Sequence, residues 1–158
     1  IEDNINLIKV ETAEEMFKAT QKNLPTDIAI FSAAVADFKI EKPSTKKIKK
    51  KNLTINLEKN VDILNYVSNH NSMRPKLVIG FAAETDDVDK NANIKLISKN
   101  CDWIIANDVS RGDSGFNSDY NEVTIHYKNP KFGKEKLSLK KKAEISEEIV
   151  DRITAQIY

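Results

Sequence analysis

Ala33-Ala34-Val35-Ala36-Asp37-Phe38 is followed, ten residues after Asp37, by Lys47-Ile48-Lys49-Lys50. Small side chains let a flat base or a ribose approach the backbone closely. A carboxylate at the end of such a turn takes ribose hydroxyls, or a metal ion carried on phosphates. A lysine that reaches a phosphate makes a charge-assisted bond of about 1.5–3 kcal/mol. The pair of motifs therefore suits a nucleoside triphosphate. The same residues also read as a solvated turn aspartate and a solvated charged loop. The run Lys46, Lys47, Lys49, Lys50 and Lys51 is too dense for every ammonium to serve at once, because like charges repel.

Three further segments carry chemistry. Lys95 and Lys99 are four residues apart, so on a helix they share one face and suit either a nucleotide clamp or an ordinary exposed surface. Phe81, in Gly80-Phe81-Ala82-Ala83-Glu84-Thr85, fits base stacking or core filling. Val61-Asp62-Ile63-Leu64 follows Asn60, a residue type suited to cap a helix whose first amides hold an anion or a base edge. Cys101, the one cysteine, reads as a small buried residue and excludes an internal disulfide. His70 and His126 have no cysteine or acidic partners at ligand spacing, which argues against zinc. With glycine only at 80, 112, 115 and 133 there is no G-x-G-x-x-G fingerprint, and no Walker loop or Ser/His/Asp order is visible.

Positioning these residues requires a core, and 158 residues suffice for one domain. No apolar run approaches the roughly 20 residues that span a bilayer, and no secretory leader pattern opens the sequence. Net charge is +1, so the lysine run is a local feature that favours a small polyanion over a long nucleic acid.

Buried-strand signatures occur at Asp27–Phe31, Leu77–Phe81 and Trp103–Ala106. Asn6–Val10 reads as a short strand, the strict alternation of Leu53–Leu57 predicts another, and residues 39 to 52 predict a loop. Thr12-Ala13-Glu14-Glu15 is a capping box ahead of a helix. Asp62–Val67 predicts a short helix, and Ala92, Ile94, Leu96 and Ile97 line another. Val123–Tyr127 and Glu135–Leu139 flank Asn129-Pro130 and Gly133 as an antiparallel edge hairpin, before a closing helix over Ser146–Tyr158. Strands alternating with helices predict an α/β fold: a mostly parallel sheet with helices on both faces. Ligands in such folds sit beyond the carboxyl ends of the strands. The motifs at 33–37, 81–85 and 107–110 all fall there.

The order of the motifs resembles one family. Ala-Ala-Val-Ala-Asp, Lys-Ile-Lys-Lys, Asn-x-Asp-Ile, Gly-Phe-Ala-Ala-Glu-Thr, the two-lysine helix, Ala-Asn-Asp-Val-Ser and Gly-Phe-Asn-Ser-Asp (115–119) run as in bacterial phosphopantothenate–cysteine ligases. The resemblance implies a Rossmann-like three-layer fold and a cytoplasmic ligase of coenzyme A biosynthesis. In that reaction CTP activates 4′-phosphopantothenate as an acyl-cytidylate, which cysteine then captures. It implies a CTP site of Phe31, Ser32, Ala33, Asp37, Lys47, Val61, Asp62, Ile63, Leu64, Phe81, Lys95 and Lys99. Lys47 is the catalytic lysine on a flap over 39–52, and Asp37 is the contact for phosphate-bound Mg²⁺. A homodimer is implied too, with the flap reaching the partner's site and Leu53–Leu57 near the contact. FMN is implied only for a fused decarboxylase domain.

The family's first strand, glycine-rich turn and a helix with a catalytic asparagine are expected ahead of Ile1, so the chain reads as an N-terminally truncated synthetase domain. Val61 stands where the family has proline, and Lys46 where it has an acidic residue. A non-catalytic nucleotide-binding module of the same fold is the alternative.

Overall fold

The computed structural model describes residues 4–44, 46–49, 53–110 and 118–157. Lys50 and Lys51 of the lysine run, residues 115–117 of the last motif and Tyr158 lie outside the described residues.

The elements run α1 (Ala13–Lys22), β1 (Ile28–Phe31), β2 (Phe38–Ile40), β3 (Leu57–Lys59), α2 (Ile63–Ser68), β4 (Leu77–Glu84), α3 (Val88–Ser98), β5 (Trp103–Asp108), β6 (Tyr120–Tyr127), β7 (Lys134–Lys141) and α4 (Lys142–Ile157). The main sheet has the order β1-β4-β5-β6-β7. β1 pairs parallel with β4 and β4 with β5, while β6 is antiparallel to both β5 and β7. Four of the five strands, β7 included, therefore point the same way. The fold is the expected mixed, mostly parallel sheet with an antiparallel edge hairpin. Gly133, at φ 61°, supplies the left-handed residue that the hairpin turn needs.

Side-chain alternation along the central strands divides the core into two layers. Leu77, Ile79, Trp103, Ile105, Val123 and Ile125 pack under Ile145, Ile149 and Ile153 of α4. Val78, Ala82, Ile104 and Ala106 pack on the other face under Ala92 and Leu96 of α3, with Cys101 in the same layer. Burial pushes the Cys101 thiol up to about 11, so it is an inert core residue as expected. Gly80 sits where α2 crosses β4: a Cβ there would lie 2.8 Å from both Ile104 Cδ1 and Leu64 Cδ2. The missing side chain is what lets α2 approach the sheet. At the far edge, Arg74 donates to Asp102 Oδ2 at 3.0 Å, to the Ser68 carbonyl at 2.7 Å and to the Asn100 carbonyl at 3.0 Å. That staple joins the end of α2 to the start of β5.

Several expectations need correction. Asn6–Val10 joins no ladder among the described residues, although Ile8 and Val10 line a cavity with Ala29 and Ile30 of β1. β1 is an edge strand rather than one buried on both faces, and Ile30 is 49% exposed. Leu53–Leu57 forms no strand. The ladder instead begins at Leu57 and pairs Leu57–Lys59 with Phe38–Ile40 in a separate two-stranded sheet, which also shortens the predicted loop at its start. The closing helix begins at Lys142, four residues before Ser146, continuing directly from β7. The capping box is present as expected, with Thr12 accepting from the Glu15 amide and Glu15 from the amides of Glu11 and Thr12. Among the described residues no helix is long and apolar enough to cross a membrane.

Candidate functional site

β1, β4 and β5 end at one edge of the sheet, and the loops leaving them converge there. The turn after β1, residues 32–37, lacks long side chains and lies exposed. Asn60 holds it in place: its side-chain amide donates to the Ala36 carbonyl at 2.8 Å and its backbone amide to the Asp37 carbonyl at 2.8 Å. Asn60 is therefore a brace for the turn and not the cap of α2. The cap is Asp62, whose carboxylate accepts from the Asn65 amide at 2.9 Å. α2 is only 6 residues long, so its dipole is slight and Asp62 acts chiefly through its own charge.

Lys99 donates to the second oxygen of Asp62. Partial burial pushes the Asp62 carboxyl up, but the Lys99 ammonium and the Asn65 amide outweigh it and hold the group below its ordinary value. The side-chain pair is 32% and 41% exposed, so its value to stability is small. One turn before, Lys95 donates to the Phe81 carbonyl at 2.9 Å. Two cations on one face of α3 are thus held in position by the chain itself.

These residues share a cavity of about 180 Å³. Its lining includes Phe31, Ala33, Asp37, Val61, Asp62, Ile63, Leu64, Phe81, Lys95 and Lys99, which are ten of the twelve residues of the predicted nucleotide site. Ser32 lines an adjoining cavity of about 460 Å³, which shares Ala33, Val35, Asp37, Phe81 and Lys95 with the first. Lys47 lines neither; it is exposed, on the loop between β2 and β3. Met16 and Asn60 line the first cavity unforeseen. Asn60 had a legible signal, since an asparagine before a helix also serves as a turn brace. Met16 had none beyond the apolar face of α1.

Chemically, the first cavity offers aromatic and aliphatic faces, two ammonium groups and, at the turn, the Asp37 carboxylate, which has no partner among the described residues. That set matches a nucleotide base and ribose with a charged tail. No cluster of three or more metal-ligating side chains occurs among the described residues. The Asp62 carboxylate is engaged by Lys99.

Residues 1–157 match the family DFP, described as the DNA/pantothenate metabolism flavoprotein C-terminal domain. The chain is 42% identical over 153 residues to the coenzyme A biosynthesis bifunctional protein CoaBC of Haemophilus influenzae, covering 95% of this chain and 37% of that protein. It is 38% identical over 151 residues to the protein of the same name from Bacillus subtilis, covering 94% of this chain and 36% of that one. The crystal structure of the C-terminal domain of coenzyme A biosynthesis bifunctional protein CoaBC aligns with a TM-score of 0.72 at 32% identity, over 95% of this chain and 65% of that one. The chain spans a little over a third of the length of the curated relatives it matches.

Proposed function

Because this chain belongs to the DNA/pantothenate metabolism flavoprotein C-terminal domain family, we propose that it is the phosphopantothenate–cysteine ligase part of a coenzyme A biosynthesis protein. In this reading the carboxylate of 4′-phosphopantothenate attacks the α-phosphorus of CTP and pyrophosphate leaves. The amine of cysteine then attacks the acyl-cytidylate and CMP is released. Neither step needs a protein nucleophile. The attack of an anion on a polyanion needs charge neutralised and partners aligned, which is work for fixed cations.

The observation that carries the reading is the gathering of Phe31, Asp37, Phe81, Lys95 and Lys99 around one cavity at the carboxyl edge of the sheet. The cytidine lies between the small-residue turn and α2, with Phe81 and the backbone of Phe31, Ser32 and Ala33 against it. Lys95 and Lys99 face the phosphates, and Lys47 closes over them from the loop. Asp37 would hold a magnesium ion brought in on the triphosphate, which would further neutralise the phosphate charge. The apolar side chains of Phe38, Ile40 and Leu57 are half-exposed on the β2–β3 sheet, next to equally exposed Leu53 and Ile55. We assign that surface to a two-fold homodimer, in which the lysine loop serves the partner's site as a flap.

Calorimetric titration with CTP and with ATP, each with Mg²⁺, tests the site. Selective CTP binding that weakens on Lys95→Ala and Lys47→Ala is expected. Cysteine-dependent CMP release from a form extended upstream of Ile1 tests the reaction. Binding without any such release from the extended form would sink the ligase and leave a nucleotide-binding module.

A further inference from the structure

The chemistry so far uses one end of the pair of cavities. The larger cavity extends away from the nucleotide pocket to Asn107 on β5, Asn121 on β6 and Lys142. Its wall there is polar, and Lys142 is the cation. The topology explains how a residue so late in the chain arrives at this edge. β7 runs parallel to β1, β4 and β5, so it too ends at the carboxyl edge, and α4 begins there without a loop. The Lys142 amide donates to the Asp119 carbonyl at 2.9 Å, which fixes the first turn of α4 beside the start of β6.

Of the run 140–142 only Lys142 lines this cavity, and two further observations bear on it. Lys140 is engaged by Glu148, whereas Lys142 forms no ion pair among the described residues. A cation as the first residue of a 16-residue helix also opposes the helix dipole, so folding alone does not favour it. A lysine that is unhelpful to its helix, unpaired among the described residues and lining a cavity shared with Phe81 and Lys95 is explained by an anion in that cavity.

Resting on the nucleotide reading above, we propose that Lys142 is a phosphate-binding residue, and that the larger cavity receives a phosphoryl group on the side opposite Lys95. Two sources share that chemistry: the outer phosphates of the nucleotide, and the terminal phosphate of the acid that the nucleotide activates. Asn107 and Asn121 supply neutral hydrogen-bonding groups on the same wall.

The test is equilibrium binding of inorganic pyrophosphate, CTP, CMP, 4′-phosphopantothenate and pantothenate to wild type, Lys142→Ala, Lys142→Arg and Lys141→Ala. If the nucleotide tail is the ligand, Lys142→Ala weakens CTP and pyrophosphate about ten-fold and leaves CMP unchanged. If the acid's phosphate is the ligand, 4′-phosphopantothenate weakens by a similar factor and pantothenate does not. Lys142→Arg retains most of the affinity in either case. Lys141→Ala, which removes the same charge one residue away, leaves binding unchanged. Thermal unfolding of Lys142→Ala stays level or shifts slightly upward, which separates lost binding from lost structure. Lys142-dependent pyrophosphate or phosphopantothenate binding without CTP binding would keep this proposal and remove the nucleotide reading. Equal affinities of wild type and Lys142→Ala for every phosphorylated compound would overturn it, as would equal losses in Lys141→Ala.

Discussion

α3 and the lysine-rich loop both carry ammonium groups, but the fold treats them differently. α3 rests on the inner layer through Ala92 and Leu96, and its cations already have acceptors: the Phe81 carbonyl for Lys95 and the Asp62 carboxylate for Lys99. The loop springs from β2 and β3, a two-stranded sheet whose six residues are all exposed. Among the described residues Lys47 has no ion pair or side-chain hydrogen bond to hold it near the cavity. Sites need both kinds of cation. A fixed one binds without loss of side-chain freedom, and a loose one admits the ligand before covering it.

The largest contrast should appear in stability. Ile104 is fully buried between α3 and the sheet, while Ile40 of β2 is half-exposed. Ile104→Ala should cost about 2–5 kcal/mol by denaturant unfolding, because the layer around it cannot collapse fully into the space left. Ile40→Ala should stay within about 0.5 kcal/mol in the monomer. A cost for Ile40→Ala that grows with protein concentration would change the comparison: the small sheet would then be buried in a dimer.

The second contrast is in binding. Lys95→Ala should weaken CTP by about 1.5–3 kcal/mol, the value of a charge-assisted bond made by a group already in place. Lys47→Ala should weaken it less, and that smaller part should fade at high ionic strength because the charge is exposed. Equal losses at both positions, equally resistant to salt, would mean that the loop is as well ordered as the helix.

What the sequence made legible follows the same division. The three apolar strand runs, the capping box and the edge hairpin depend on local pattern and on a core, and each is present. The edge position of β1 was not legible, because Ile28-Ala29-Ile30-Phe31 is as apolar as a central strand and only its neighbours decide how deeply it is buried. Leu53–Leu57 alternates like a strand, but only its last residue, Leu57, joins a ladder among the described residues, since alternation states a preference and a ladder needs a partner in register. Ten of the twelve expected site residues meet at one cavity because they sit at strand ends or on helices held by the core. Lys47 does not, since loop charge is visible in a sequence and loop position is not. The run at 46–51 is conspicuous by its density, while Lys142 reaches a cavity through topology alone.

A smaller effect follows from Gly80. Gly80→Ala places a methyl group against Ile104 Cδ1 and Leu64 Cδ2. Both are side-chain ends that can move, so the cost should be about 1–3 kcal/mol and not a failure to fold. The shift falls mainly on Leu64, and α2 carries Asp62, so CTP affinity should drop along with stability. Lost stability with unchanged affinity would show that α2 does not set the position of Lys99.

The smallest effect is one of pH, at the seam between α3 and the hairpin. His126 of β6 is 2% exposed, and its Nε2 lies 3.3 Å from Asp89 Oδ1 at the start of α3, without the alignment of a hydrogen bond. Lys134 of β7 pairs with the same carboxylate. Burial holds the His126 imidazole below its ordinary value; Asp89 opposes this and Lys134 reinforces it. In the unfolded chain the imidazole takes up its proton near pH 6.5, whereas in the folded chain it resists until a lower pH. Between those values the unfolded state binds more protons, so stability rises with pH and declines as pH falls below about 6.5. The slope cannot exceed about 1.4 kcal/mol per pH unit for one group. Unfolding free energies of wild type and His126→Gln from pH 7.5 to 5 should therefore diverge in slope: the variant is less stable at neutral pH, where it gives up the packed ring, but flatter toward acid. Asp89 titrates below that range, because Lys134 and His126 hold its carboxyl down. Parallel curves would mean that the folded chain protonates His126 as readily as the unfolded one. Asp89 would then offset the whole cost of burying the charged imidazole.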